Sequence, residues 1–447
     1  MLVNLFIGKA CCNVRDIVVT LIIVGALPYI IRAPWFGIIG WNWVGIMNPH
    51  RLGWGFAGSL PFAQVIGICT LVGLIFSKEK KSFPINRVTV TLIIFILWMC
   101  FTTLTALNGP DAVDGMVKML KIQIVILLGF MLMQSRERIH WLTWTLVVSV
   151  GFYGVKGGIF TLIGGGSNMV LGPPGTFISG NTEIGLALLM MMPLMRYLQL
   201  NTKKKLVRWG LGIAMLLTGI AVLGTHSRGA LLGAGVMIAA FWWKSRSKLL
   251  ITGVMILAVP AFLAFMPHEW WAKMDTIQNY EQDASAMGRI NAWHFAVNVA
   301  TDRPFGGGFD AFTPRWFERY APVPDDFHDA HSIYFEILGE HGFVGLALFL
   351  ILMWLTWRTG SRIVRLTKGK PQFTWARDLA LMSQVSLLAY WVAGAFLGLA
   401  YFDGYYLIIS LLVLTRIVVE RELAAVPEAV DQSQLRPATY PATGHVS

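Results

Sequence analysis

Apolar runs of about 17–25 residues recur from one end of this 447-residue chain to the other, and nothing else in it limits the fold so tightly. A helix advances about 1.5 Å per residue, so a run of that length matches the hydrocarbon thickness of a bilayer. Twelve such runs are read at roughly 16–32, 59–77, 88–106, 115–133, 139–165, 183–199, 206–224, 229–244, 248–267, 333–358, 375–398 and 401–420. None alternates with the two-residue period of a membrane β-strand, which leaves helices as the spanning structure. Composition agrees: 55% of residues are hydrophobic and only 13% charged, too few charges to cover a soluble surface. The expected fold is all-α, a polytopic membrane helix bundle of about twelve transmembrane helices. Helices 1–9 occupy residues 1–267, one large water-facing loop occupies 268–332, and helices 10–12 occupy 333–423. A tail at 424–447, rich in Ala, Pro, Glu and Gln, reads as disordered.

The net charge of +12 would suggest nucleic acid in a soluble protein. In a membrane protein it follows from Lys and Arg collecting in cytoplasmic loops, so no nucleic-acid partner is expected. With the N-terminus placed inside, the basic connections KEKK (78–81), KKK (203–205) and KSRSK (244–248) all fall on the cytoplasmic side, as does 358–377. Both termini are then expected to be cytoplasmic and the 268–332 loop outside. The N-terminus lacks a cleavable signal, so the first span is expected to remain as an anchor. Cys11, Cys12, Cys69 and Cys100 lie near the N-terminus or in apolar spans, and neither a disulfide nor a cysteine metal site is expected.

Three outer segments carry the remaining information. Segment 34–58, with Trp35, Trp41, Trp43 and Trp54, is short and marked by Gly and Pro, and reads as interfacial or re-entrant. Segment 164–182 is a Gly/Pro-rich loop, and 268–332 is the one sizeable water-facing piece; loops on a rigid scaffold are where function concentrates. Arg228 lies at the outer junction of two helices and either snorkels to the interface or contacts an anion. Arg289 and His331 lie in the large loop, His331 just before a helical span, where capping and catalysis are both open readings. Lys118 and Lys121, three apart on one helix face, and Lys156 in the fifth span either hold lipid phosphate or pair with a carboxylate such as Glu183. Asn181 and Glu183 follow the Gly/Pro loop and read as capping residues or substrate contacts. Arg51, beside His50, either touches headgroups and phosphates or anchors the interface. The His and Asp residues of 325–331 have no metalloprotease spacing, and no DxD stands on an outer loop, so no metal is expected.

In order along the chain stand SRGA (227–230), GRINAW (288–293), DRPFGGGF (302–309) and HSIYFEILGEHGFVG (331–345). This ordered set resembles the O-antigen ligase/polymerase superfamily. MNPHRLGWGFA (47–57), SVGFYGVKGGIFTLIGGG (149–166) and GPPGTFISGNTEIGLALLM (172–190) are similar to its exosortase-associated O-glycosylation ligase subgroup. The resemblance implies a fold like that of the C-class membrane glycosyltransferases, a bacterial inner-membrane location and an active site on the periplasmic side. It implies a glycan donor on undecaprenyl diphosphate and an acceptor hydroxyl on the lipid A core, with no cofactor and no metal. Arg228 and Arg289 would bind the diphosphate, as guanidinium forks match phosphate oxygens. His331 would act as general base, its ordinary pKa near 6.5 suiting proton transfer. A protein O-oligosaccharyltransferase or an O-antigen polymerase would use the same donor with another acceptor. A transporter is the reading from another class, and it wants two matching halves that this sequence does not show.

Overall fold

The computed structural model describes residues 2–425 apart from Trp54, Lys80 and most positions between 245 and 283, with side chains from Val14 onward. The expected span 248–267 and the tail from 426 therefore lie outside the described residues. The helices are α1 (Leu2–Arg32), α2 (Pro34–Asn42), α3 (Phe62–Phe76), α4 (Arg87–Leu104), α5 (Gly109–Leu132), α6 (Arg136–Ile163) and α7 (Asn181–Asn201). They continue with α8 (Lys205–Gly224), α9 (Arg228–Lys244), α10 (Ala284–Asp302), α11 (Pro314–Tyr320), α12 (Ile333–Leu366), α13 (Thr374–Ala393) and α14 (Asp403–Ala425). No strand occurs among the described residues, and eight helices are long and apolar enough to cross a membrane. The chain is a polytopic membrane helix bundle, as its apolar runs require.

Local chemistry starts the helices where the sequence changes character. Asn86 caps α4: its Oδ1 accepts from the amides of Val88 (3.0 Å) and Thr89 (3.2 Å), while Thr89 Oγ1 accepts from the Asn86 amide. Ser135 caps α6 through the Arg138 amide. Two helices are apolar on every face and sit at the centre: α7 is buried without a break from Ile184 to Met191, and α14 from Gly404 to Thr415. Small residues bring α6 against α8. A Cβ on Gly158 would overlap the backbone carbonyl of Leu217, and one on Gly154 would overlap the Thr218 hydroxyl.

The bundle has two unlike ends. One, the basic end, holds the Arg138–Glu79 ion pair (2.8 Å), the Arg362–Glu420 pair (2.9 Å) and a bond from Arg421 to the Gln134 carbonyl. The other, the loop end, ties 104–107, 164–182, 224–227 and 303–313 together through backbone and side-chain bonds. From α3 onward the long helices α3–α9 and α12–α14 run alternately between these ends, while α10 and α11 lie at the loop end.

The N-terminal region departs from expectation. Segment 34–58 is not confined to one surface. It starts at the basic end, where Arg138 lies over the Trp35 ring at 5.2 Å, and reaches the loop end, where Arg51 Nη1 donates to the Gly175 carbonyl at 2.7 Å. Helix α2 and a π-helical turn, Trp43–Met47, carry it across. Helix α1 therefore runs the other way from the expected direction. Its Ile30 and Ile31 pack on Gly73 toward the basic end of α3, and its Asp16 stands against Gly53 toward the loop end. The helices leading to the two termini thus point to opposite ends of the bundle, where a shared end was expected. The physical reason is length. Fourteen residues reach only about 21 Å, below a usual span, and the stretch contains Asn42, whose Nδ2 is satisfied by the Ile38 carbonyl (2.7 Å) inside the protein. Cysteines placed singly at Arg15 and Arg421 in a cysteine-free background should accept a membrane-impermeant maleimide from opposite sides; labelling from the same side would restore the original topology.

Candidate functional site

The loop end is built on a break in a long helix. Gly342 has φ 68°, splitting α12 and releasing carbonyls that a continuous helix would use. Those carbonyls find other donors: Gly339 O accepts from the Gly307 amide (2.8 Å), Glu340 O from the Gly308 amide (2.8 Å), and His341 O from Trp98 Nε1 (2.9 Å). Backbone must approach backbone for this to happen. Gly306, at φ 81°, leaves room for Gly342, since a Cβ there would stand 2.5 Å from the Gly342 nitrogen. The glycines of DRPFGGGF and of HSIYFEILGEHGFVG are thus two halves of one joint.

A buried polar chain locks that joint. Glu340 Oε1 accepts from the Asp310 amide (2.9 Å), and its Oε2 accepts from the Tyr401 hydroxyl. The same hydroxyl meets His341 Nε2 at 2.9 Å, and His341 Nδ1 meets Thr102 Oγ1 at 2.7 Å. Every group in the chain has a partner, which is what makes buried polar groups tolerable. Asp310 itself adopts φ 54° and presents its carboxylate beside Gly115 of α5.

Helix α10 shapes the segment that carries His331. Asn291 Nδ2 donates to the carbonyls of Val323 (2.8 Å) and Asp326 (2.9 Å), and its Oδ1 accepts from the Val323 amide. Trp293 Nε1 donates to the Ala330 carbonyl (2.9 Å), and the indole stacks on Phe335 with centroids 4.9 Å apart. Gly288 lies directly under the His328 ring, where a Cβ would overlap it, and His328 Nδ1 meets Asp326 Oδ1 at 3.1 Å. Held at both ends, His331 takes φ 39°, in the left-handed region that non-glycine residues avoid. Ser332 then precedes the first turn of α12. His331 is half-buried. Burial pushes its pKa below the usual 6.5; the Arg289 charge adds to this, Asp329 and Glu183 oppose it, and His328 lowers it slightly further.

That set of charges shows which candidates converge. His331, Arg289 and Glu183 lie close enough to influence one another, although α7, α10 and the 321–331 segment bring them from distant parts of the chain. Arg228 opens α9 beside them: Gly229 packs on Phe396 and Leu397, and Gly398 lies against the His331 backbone. Asn181 and Glu183 do not cap α7 as the sequence suggests. Gly180 is the capping residue, with no side-chain bond; Asn181 Nδ2 reaches the Thr225 carbonyl (2.8 Å) and the Glu183 carboxylate folds over Gly180. Lys118 lies over the Phe177 ring at 3.8 Å, within electrostatic reach of Asp310 and Arg51, rather than paired with Glu183. Lys121 and Lys156 are exposed on α5 and α6.

Sequence reading missed two acidic members of this cluster, Asp310 and Asp329. Burial raises the Asp310 pKa, Asp111 raises it further, Lys118 opposes this, and Asp329 and Asp114 add smaller increases. Asp329 sits between His328 and His331, a signal in plain view; Asp310 had none beyond the glycines before it. The arrangement offers a neutral imidazole beside a guanidinium, which can take a proton from a hydroxyl while cations hold an anionic leaving group.

Comparison with known families meets this geometry. Residues 14–204 match a family of unknown function, and residues 213–350 match the O-antigen ligase family. No curated protein matches the chain. The second match runs from α8 into α12 and encloses the joint, α10 and the His331 segment. Residues 213–350, about a third of the chain, thus form an O-antigen ligase domain.

Proposed function

We propose that this protein transfers a glycan from undecaprenyl diphosphate to a sugar hydroxyl of the lipid A core, on the periplasmic side of a bacterial inner membrane. The observation that carries this reading is the O-antigen ligase match over 213–350, the stretch that holds Arg228, Arg289 and His331. In the proposed step His331 accepts the proton of the acceptor hydroxyl. The oxygen bonds to the anomeric carbon from the face opposite the diphosphate, and the bond from that carbon to the diphosphate oxygen breaks, so configuration inverts. Arg228 and Arg289 offset the charge that grows on the departing diphosphate, and no metal is needed for that role. The bias of Lys and Arg toward the basic end supports a cytoplasmic assignment for it and a periplasmic one for the loop end.

Purified protein, mixed with undecaprenyl-diphosphate-linked glycan and rough lipopolysaccharide in the presence of chelator, should shift the lipopolysaccharide on a gel, and Arg228→Ala or Arg289→Ala should abolish the shift. Transfer to a protein instead would keep the donor and replace the acceptor. A donor left intact with every acceptor would sink the transferase reading.

A pH profile tests the base. A general base must be neutral, and the His331 pKa lies below 6.5, so the acid limb of kcat/KM should fall below pH 6.5. Asp329 raises that pKa, so Asp329→Asn should move the limb to still lower pH. A limb that stays in place would remove His331 from the proton step.

A further inference from the structure

A groove of about 440 Å³ lies between α1, α2 and α6, walled by Ile23 and Ile30, by Phe36 and Trp43, and by Trp144 and Val148. Its lining is almost wholly apolar, and it is open on one side. On α6 the exposed strip continues beyond the groove: Trp141, Thr145, Val148, Phe152 and Lys156 follow at spacings of three and four, which places them on one helix face. Lys156 ends the sequence as an exposed cation inside an apolar helix, about 10 Å short of the loop-end terminus at Ile163. A lysine so placed is costly in lipid unless its stem carries the ammonium toward an interface or an anion.

We infer that the groove between α1, α2 and α6 is a docking track for the isoprenoid tail of a lipid diphosphate, with Lys156 at the diphosphate end. The length of the track argues for that occupant. Trp141 and Lys156 are fifteen residues apart, about 22 Å along the helix. The acyl chains of one leaflet cover only half of a hydrocarbon core of about 30 Å, so a phospholipid with its head at Lys156 stops short of Trp141. An undecaprenyl chain does not. Direction agrees as well, since the cation stands toward the loop end, where Arg51 bonds Gly175 and Lys118 lies over Phe177. The donor identity rests on the proposed function; the groove, the strip and the lysine do not.

The test uses the full chain in phosphatidylcholine nanodiscs and undecaprenyl diphosphate carrying a diazirine in its terminal isoprene. Phosphatidylglycerol with a diazirine at its acyl end is the comparison. After irradiation, mass spectrometry should place the isoprenoid label in Trp141–Val148 and in the facing part of α1, at least fivefold above the phosphatidylglycerol label. Lys156→Gln and the groove-filling Thr145→Trp should each reduce that label fivefold or more. Equal labelling by both probes, or isoprenoid label confined to other helices, overturns the inference even if Thr145→Trp fails to fold, because the wild-type comparison stands alone. Glycan transfer is scored separately in the same nanodiscs. Transfer without groove labelling removes the track and leaves the transferase; groove labelling without transfer supports the track and removes the transferase.

Discussion

Replacing His331 by alanine should lower glycan transfer by about 10²–10⁴-fold, the usual contribution of a positioned general base. The effect is expected to fall on kcat, because the imidazole acts on the proton lost as the new bond forms and not on donor binding. The melting temperature should change little. The hydrogen bonds that shape this segment come from Asn291 and Trp293 to backbone carbonyls, and none of them uses the His331 ring. Backbone strain is the rival explanation, since His331 sits at φ 39°. His331→Asn separates the two: asparagine accepts the left-handed conformation better than most residues but supplies no base. Loss of activity in both variants supports the base. Activity retained by the asparagine variant would assign the residue to the turn alone.

Gly342→Ala should abolish the folded protein. Two penalties meet there. The backbone lies at φ 68° and ψ −170°, a region essentially confined to glycine that costs alanine roughly 1–3 kcal/mol. The new methyl would also overlap the Pro304 carbonyl oxygen and stand 2.9 Å from the Gly306 nitrogen, atoms of a backbone that cannot move without breaking the Gly307 and Gly308 bonds to α12. The combined loss should exceed about 4 kcal/mol, in the range where one substitution signals a named structural failure. Gly369→Ala is the control: φ is 74° there, yet nothing stands within 4 Å of the added carbon. It should cost only the backbone term. If thermal denaturation in detergent finds the two variants alike, the joint between 303–308 and α12 is not what holds the loop end together.

The sequence was legible wherever one residue's chemistry answers to its neighbours along the chain. Apolar runs set the membrane helices because a bilayer imposes a fixed thickness on any helix that crosses it. Basic connections fall at one end of the bundle for the long helices α3–α9 and α12–α14, the pattern expected where Lys and Arg resist translocation. The ordered motifs of 227–345 pointed to the family that the match over 213–350 identifies. The N-terminal motifs fall within 14–204, a stretch that matches a family of unknown function.

Tertiary structure decided the rest. Segment 34–58 looked too short and too marked by Gly and Pro to cross, and it crosses because α1, α3 and α6 pack around it while Asn42 and Asn48 donate to its own carbonyls at Ile38 and Gly45. That one hidden crossing reversed α1, since direction in a bundle is a matter of parity and a single miscount inverts every helix on one side of it. Asn181 looked like a cap, but a carbonyl forty-four residues away offered its amide a better place. Asp310 carried no local mark, because its position depends on a glutamate thirty residues on, itself held by Tyr401 from the turn before α14. Periodicity and charge are properties of neighbours in sequence, and they determined that this chain is a membrane helix bundle with its loop residues at one end. Which of those residues stand together depends on contacts between distant segments, and only the folded chain brings His331, Arg289, Glu183 and the two aspartates to one place.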